Sequence, residues 1–223
     1  MAKQLKMRAA VPPNTPVGLR ISFWACIVLA AAMVVRRIVA LQRLPGASSA
    51  PPELARLDVW FQTHASLTYL HILTALVFVC LLPLIFWKPA RRSIVIRSAY
   101  YCLGGAVMLT AYAMSTYSVG GWIERSAIIL FNTLFGVELG MSLRAWRAVK
   151  AAEERRWTLR STATILGIAT SRPVMGIFFA TSRATHWTPQ QIFGPAMWIG
   201  FSINVVVMEI WLRQHTPKEG SCL

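Results

Sequence analysis

The chain reads as an all-α membrane protein, a polytopic bundle of six transmembrane helices with cytoplasmic termini. Three observations predict this. Of its 223 residues, 56% are hydrophobic and 14% charged, a balance that suits lipid better than water. Apolar stretches recur six times, each near the roughly 20 residues needed to cross a hydrocarbon core about 30 Å thick. The formal charge of +15, from 23 Lys and Arg against 8 Asp and Glu, is strewn between those stretches instead of gathered on one polar domain. It therefore reads as a topology signal, with the lipid bilayer and not nucleic acid as the expected partner.

Residues 1–16 form a basic tail expected in the cytoplasm. The opening MAKQLKMRAAVPPNTPVGLR leads into an apolar run as signal peptides do, but five further spans follow and no A-x-A cleavage site stands out, so a retained first helix is expected. The first span covers 17–41. Its uncharged centre is short, which leaves Arg36 and Arg37 to snorkel to the interface. RLPGASSAPP then breaks the helix through its Gly, Pro and Ser. In PELARLDVWFQTH, Leu54, Leu57, Trp60 and Phe61 recur at helical spacing beside charged residues, which predicts a helix over 52–62 lying on the membrane surface.

The second span, 65–87, is uncharged and leaves the membrane at WKPARR. The third covers 98–117 and meets a glycine turn at SVGGW. The fourth covers 126–144, and the charged, helix-forming RAWRAVKAAEERRWTLR after it is expected to carry that fourth helix on into the cytoplasm. The fifth, 159–182, contains Arg172 and Pro173, and the sixth, 191–212, precedes a short polar tail, 213–223, also expected in the cytoplasm. Lys and Arg concentrate in the N-terminal stretch, the second and fourth loops and the tail, which favours cytoplasmic ends and a multi-pass protein of the bacterial inner membrane. Arg36, Arg37, Arg43 and Arg56 count the other way. Cys26, Cys80, Cys102 and Cys222 lack C-x-x-C spacing and read as buried packing thiols.

Polar residues inside spans require a partner, a cavity or a function, because a charge at the bilayer centre costs about 2.5 to 3.5 kcal/mol on insertion scales. Arg172 lies too deep for easy snorkelling, and Pro173 cannot donate to the Ala169 carbonyl, which leaves a free acceptor of the kind that lines protein cavities. Glu138 is expected at a similar depth and is expected to pair with Arg172, either as a structural ion pair or as a ligand or proton site. His71 reads as an interhelical hydrogen-bonding residue or as a ligand, proton-relay or metal residue. Asn132 and Asn204 suit helix-to-helix hydrogen bonds, and Glu209 suits a pair with Arg213 one turn later. The candidate site is therefore a polar cavity in the outer half of the membrane built from His71, Glu138, Arg172 and Asn204.

No phosphate-binding glycine loop, G-x-S-x-G, H-E-x-x-H or acidic cluster suited to magnesium occurs, which excludes the familiar hydrolase and nucleotide chemistries. Three functions stay open. The first is a binding protein for a small amphiphile, a prosthetic group or another membrane subunit. The second is a redox protein with haem b or a quinone, where His71 and His186 are the histidines available on the outer side. The third is an enzyme on a lipid-like substrate with Glu138 as acid or base.

ERRWTLRSTATILGIATSRP resembles the signature of an uncharacterised bacterial membrane family catalogued as domain of unknown function 2306, approximately H-R-R-W-M-x-R-S followed by an apolar helix carrying an arginine. WIGFSINVVVMEIWLR resembles that family's closing helix, and His71 stands where an early family histidine falls. The resemblance spans roughly 68–213 and implies a fold but no reaction. On it, Arg156, Trp157, Arg160, Ser161, Arg172, Asn204 and Glu209 match motif positions. Glu154 replaces the histidine before Arg-Arg-Trp, and a second histidine near the start of the third span is missing around Arg91, Arg92 and Ser93.

Overall fold

The computed structural model describes residues 16–42, 61–91 and 93–215. Among them the chain is all-helical, with six helices long and apolar enough to cross a membrane. They are α1 (Val17–Gln42), α2 (Ala65–Phe86), α3 (Ile94–Ser115), α4 (Gly121–Arg147), α5 (Ala151–Thr185) and α6 (Pro189–His215). The surface helix expected over 52–62 falls almost wholly outside the described residues.

Local chemistry sets the helix ends. At the start of α6, Gln191 accepts from the backbone N–H of Thr188 at 3.0 Å, while Pro189 occupies the first helical position, so orphan donors are satisfied where proline's missing N–H costs nothing. Between α4 and α5 the chain reverses within three residues, with Val149 in the left-handed region at φ 57°. Arg144 and Arg147 occupy the last turn of α4, and Glu153 and Glu154 the first turn of α5, each the sign its helix terminus favours. The expected extension of the fourth helix beyond Arg144 reaches only Arg147; from Ala151 onward the charged segment begins the fifth.

Consecutive helices α2 to α6 pack side by side, α6 returns against α4, and α1 lies at the edge against α2 and α5. The tightest approach is between α5 and α6. A Cβ at Gly200 would run into the backbone of Ser171, and one at Gly167 into Phe201, as small residues permit when helices meet without water to drive them together. Phe78, Leu82, Tyr100, Val107, Phe135 and Leu139 form the main core among α2, α3 and α4. Val28, Val77, Leu109, Val137 and Val206 are exposed, an outward apolar surface that suits contact with acyl chains. Cys80 and Cys102 lie on exposed surface and Cys26 is half-buried, so the expectation of buried packing thiols does not hold for these three.

The ends of the helices define two faces. The terminal face carries the start of α1 and the end of α6; the far face carries the α3–α4 and α5–α6 turns.

Candidate functional site

All six helices contribute to one cavity of about 260 Å³. Its walls are mostly apolar, with Phe78, Phe131, Phe135, Phe193 and Phe201 among them, and its polar positions are fewer, with Arg37, His64, His71, Glu124, Asn132, Thr164 and Arg172 among them beside three hydroxyl side chains, Thr68, Tyr117 and Ser118. That combination, apolar walls with sparse polar groups, is how small-molecule sites are built.

Arg172 stands on α5 one residue before Pro173. Its hydrogen-bond partner among the described residues is the thioether of Met175, Nη1 to Sδ at 3.9 Å. It is half-buried and lines the cavity. Glu124, 6% exposed, lines the same cavity from the first turn of α4. Its Oε2 accepts from the backbone N–H of Gly120 at 2.5 Å, so that the start of its own helix solvates the carboxylate. Glu124 is the carboxylate within electrostatic reach of Arg172.

His71 meets α3 through Nδ1 and the Thr110 Oγ1, 2.9 Å apart. The Thr110 hydroxyl proton is taken by the carbonyls of Ala106 and Val107. His64, just ahead of α2, lies against Tyr117 with ring centroids 3.9 Å apart and planes tilted by 34°, and Arg37 lies over the ring of Phe61 at 4.0 Å. Asn132 donates to the Met108 carbonyl at 2.9 Å, pinning α4 to α3 as an interhelical amide.

Two of the four expected site residues, His71 and Arg172, line the cavity; Glu138 and Asn204 do not. Glu138 accepts from Thr164 Oγ1 at 2.8 Å, so it meets α5 roughly 12 Å along the axis from Arg172 by helical rise. The expected Glu138–Arg172 pair is absent among the described residues. Length contributes about half of that offset: α4 begins before Ser126 and α5 continues past Ser182, which sets Glu138 about 26 Å and Arg172 about 20 Å from the far ends of their helices. Asn204 accepts from Thr170 Oγ1 at 2.8 Å and donates to the Ala163 carbonyl at 3.1 Å, a clasp between α5 and α6. His186 caps α5 in a left-handed conformation and does not line the cavity, so the two histidines expected to oppose each other across a haem are not brought together.

Reading by residue missed Glu124, Thr164, His64 and Arg37. Glu124 was findable as an acid in the first turn of a helix, once that helix is started at Gly121 instead of Ser126.

On the terminal face Trp157, Arg160 and Glu209 converge. Glu209 takes Arg160 Nε at 2.9 Å and Nη2 at 3.2 Å, with Arg213 adding a contact at 3.3 Å. The Arg160 guanidinium also lies over the Trp157 ring, 4.8 Å from its centroid. The expected Glu209–Arg213 contact is present, yet the more buried partner is Arg160. Glu154 is 3% exposed and held by Arg97 Nη2 at 2.5 to 2.6 Å.

The fold and this cavity define a multi-pass membrane protein with an internal pocket. No family model, curated protein or solved structure matches the chain.

Proposed function

We propose that the protein binds a small anionic amphiphile, with the headgroup on Arg172 and the tail along the apolar walls of the cavity. The observation that carries this is the guanidinium of Arg172. It has five N–H donors, one thioether partner among the described residues, and a cavity in front of it. A phosphate or carboxylate supplies two parallel acceptors to such a group. The volume lies near the lower end of the roughly 300 to 1,000 Å³ typical of ligand pockets, which suits a headgroup with a short length of chain. It disfavours a large prosthetic group.

The same proposal places the termini in the cytoplasm and the bundle in the inner membrane on the bias of Lys and Arg, and keeps the resemblance to the family of unknown function as a source of fold only. Solvent extraction and mass spectrometry of purified protein test the binding. Wild type should carry one anionic amphiphile well above its share of the bulk membrane lipid, and Arg172→Gln should lose it. Bulk lipid in bulk proportions from both proteins would sink the reading.

A further inference from the structure

The other carboxylates inside the bundle have strong partners. Glu154 has Arg97, Glu209 has Arg160, and Glu124 has the backbone N–H of Gly120. Glu138 differs. It is 4% exposed, forms no ion pair among the described residues, and receives a hydrogen bond from a neutral hydroxyl, that of Thr164, at 2.8 Å. One neutral donor does not replace the hydration of an anion placed among apolar helices. The charged and titratable groups facing it are Arg160 of α5, Glu209 of α6 and Tyr100 of α3. Arg160 is engaged by Glu209 in a salt bridge, and Tyr100 bonds Ser161 at 2.7 Å. Among the described residues no cation bonds Glu138 directly; Arg160 acts on it only from a distance.

Its surroundings also connect it to the cavity. Thr164 donates to Glu138 and is itself part of the cavity wall. Toward the terminal face, Ser142 lies one turn further along α4 and bonds Thr158 at 2.9 Å, whose hydroxyl in turn donates to the Glu154 carbonyl. Thr164, Thr158 and Ser142 are 1%, 6% and 0% exposed.

We propose that Glu138 is a reversible proton-binding site that exchanges its proton with the cavity through Thr164, so that occupancy of the cavity is coupled to protonation. The proton site stands independently; its coupling to an occupant rests on the binding function proposed above.

The test is carbodiimide labelling of the full chain in phosphatidylcholine nanodiscs. N,N′-dicyclohexylcarbodiimide partitions into the bilayer, and a carboxylic acid adds across its C=N bond, the carboxyl oxygen going to carbon and the acid proton to nitrogen. The acyl group then migrates to nitrogen, leaving a stable N-acylurea with no group lost, and peptide mass spectrometry locates it. An adduct at Glu138 that declines as pH rises is expected, with none at the ion-paired Glu154 and none in Glu138→Gln. In Thr164→Val, which removes a hydrogen bond to the ionised form, labelling should persist to higher pH. Dodecyl phosphate added first brings a negative charge into the cavity and disfavours the ionised form of Glu138, so labelling should persist to higher pH than without it. Absence of a Glu138 adduct at every pH, in protein that labels once denatured, overturns the proton site. Labelling that dodecyl phosphate leaves unchanged, in protein that demonstrably binds it, overturns the coupling alone; failure of dodecyl phosphate to bind at all overturns the binding function and leaves the proton site standing.

Discussion

Arg172 and Glu124 face one cavity from α5 and α4 without closing an ion pair. The carboxylate is satisfied by its own helix N-terminus, and the guanidinium is left with a thioether. A bundle built only for stability would bring the two charges together, because breaking or leaving open a buried pair costs several kcal/mol. The open arrangement keeps donors available to something that enters.

The closed pair on the terminal face should behave oppositely. Removing Arg97 strands the buried Glu154, so Arg97→Ala should destabilise the protein by about 3 to 5 kcal/mol. Replacing both residues by apolar ones, Arg97→Leu with Glu154→Met, should recover most of that loss. Unfolding in a mixed-micelle denaturant series measures both; equal losses in the single and double variants would show that the charge pair is not the cause.

Asn204 holds α5 to α6 and lies outside the cavity wall. Asn204→Ala should cost about 0.6 to 2 kcal/mol of stability, the range for interhelical hydrogen bonds in membranes. Binding of an anionic amphiphile should be unchanged. A variant that folds but loses binding would return Asn204 to the site.

The glycines separate by what surrounds them. Gly200 abuts the backbone of Ser171, whereas a methyl group added at Gly105 would meet nothing within 4 Å. Gly200→Ala should cost about 1 to 3 kcal/mol through overpacking. Gly105→Ala should be neutral or stabilise by up to about 1 kcal/mol by reducing the freedom of the unfolded chain. Paired thermal unfolding of the two variants checks the order.

Val149 is 88% exposed and holds φ at 57°, a conformation that costs a β-branched residue about 1 to 2 kcal/mol. Val149→Gly should raise the unfolding temperature without touching the cavity. A fall would mean that the left-handed turn is not strained.

The six spans were legible because each carries enough apolar residues to stand out from its flanks. Their ends were less so: at Arg97, Glu124 and Glu154 a charge reads as loop, yet the helix continues and the charge finds a partner within the bundle. The short limits misplaced Glu138 and Arg172 in depth and so suggested a pair that the packing does not make. Helical phase was the second obstacle. Where every face of a helix is apolar, no polar stripe marks the inner side, and nothing in the residue order shows that His71 turns to the cavity while Asn204 turns to the Ala163 carbonyl. The reversal at Val149 was hidden because a valine there carries none of the usual turn chemistry.

The central claim concerns Arg172, and thermal unfolding in nanodiscs with dodecyl phosphate or dodecanol tests it most directly, since the two share a tail and differ in charge. Wild type should gain about 2.7 kcal/mol at a dodecyl phosphate concentration about 100 times Kd and nothing comparable from dodecanol. Arg172→Gln should fold at least as stably without ligand and show no gain from either. Equal gains from dodecyl phosphate in wild type and Arg172→Gln, or none in wild type, would contradict the account.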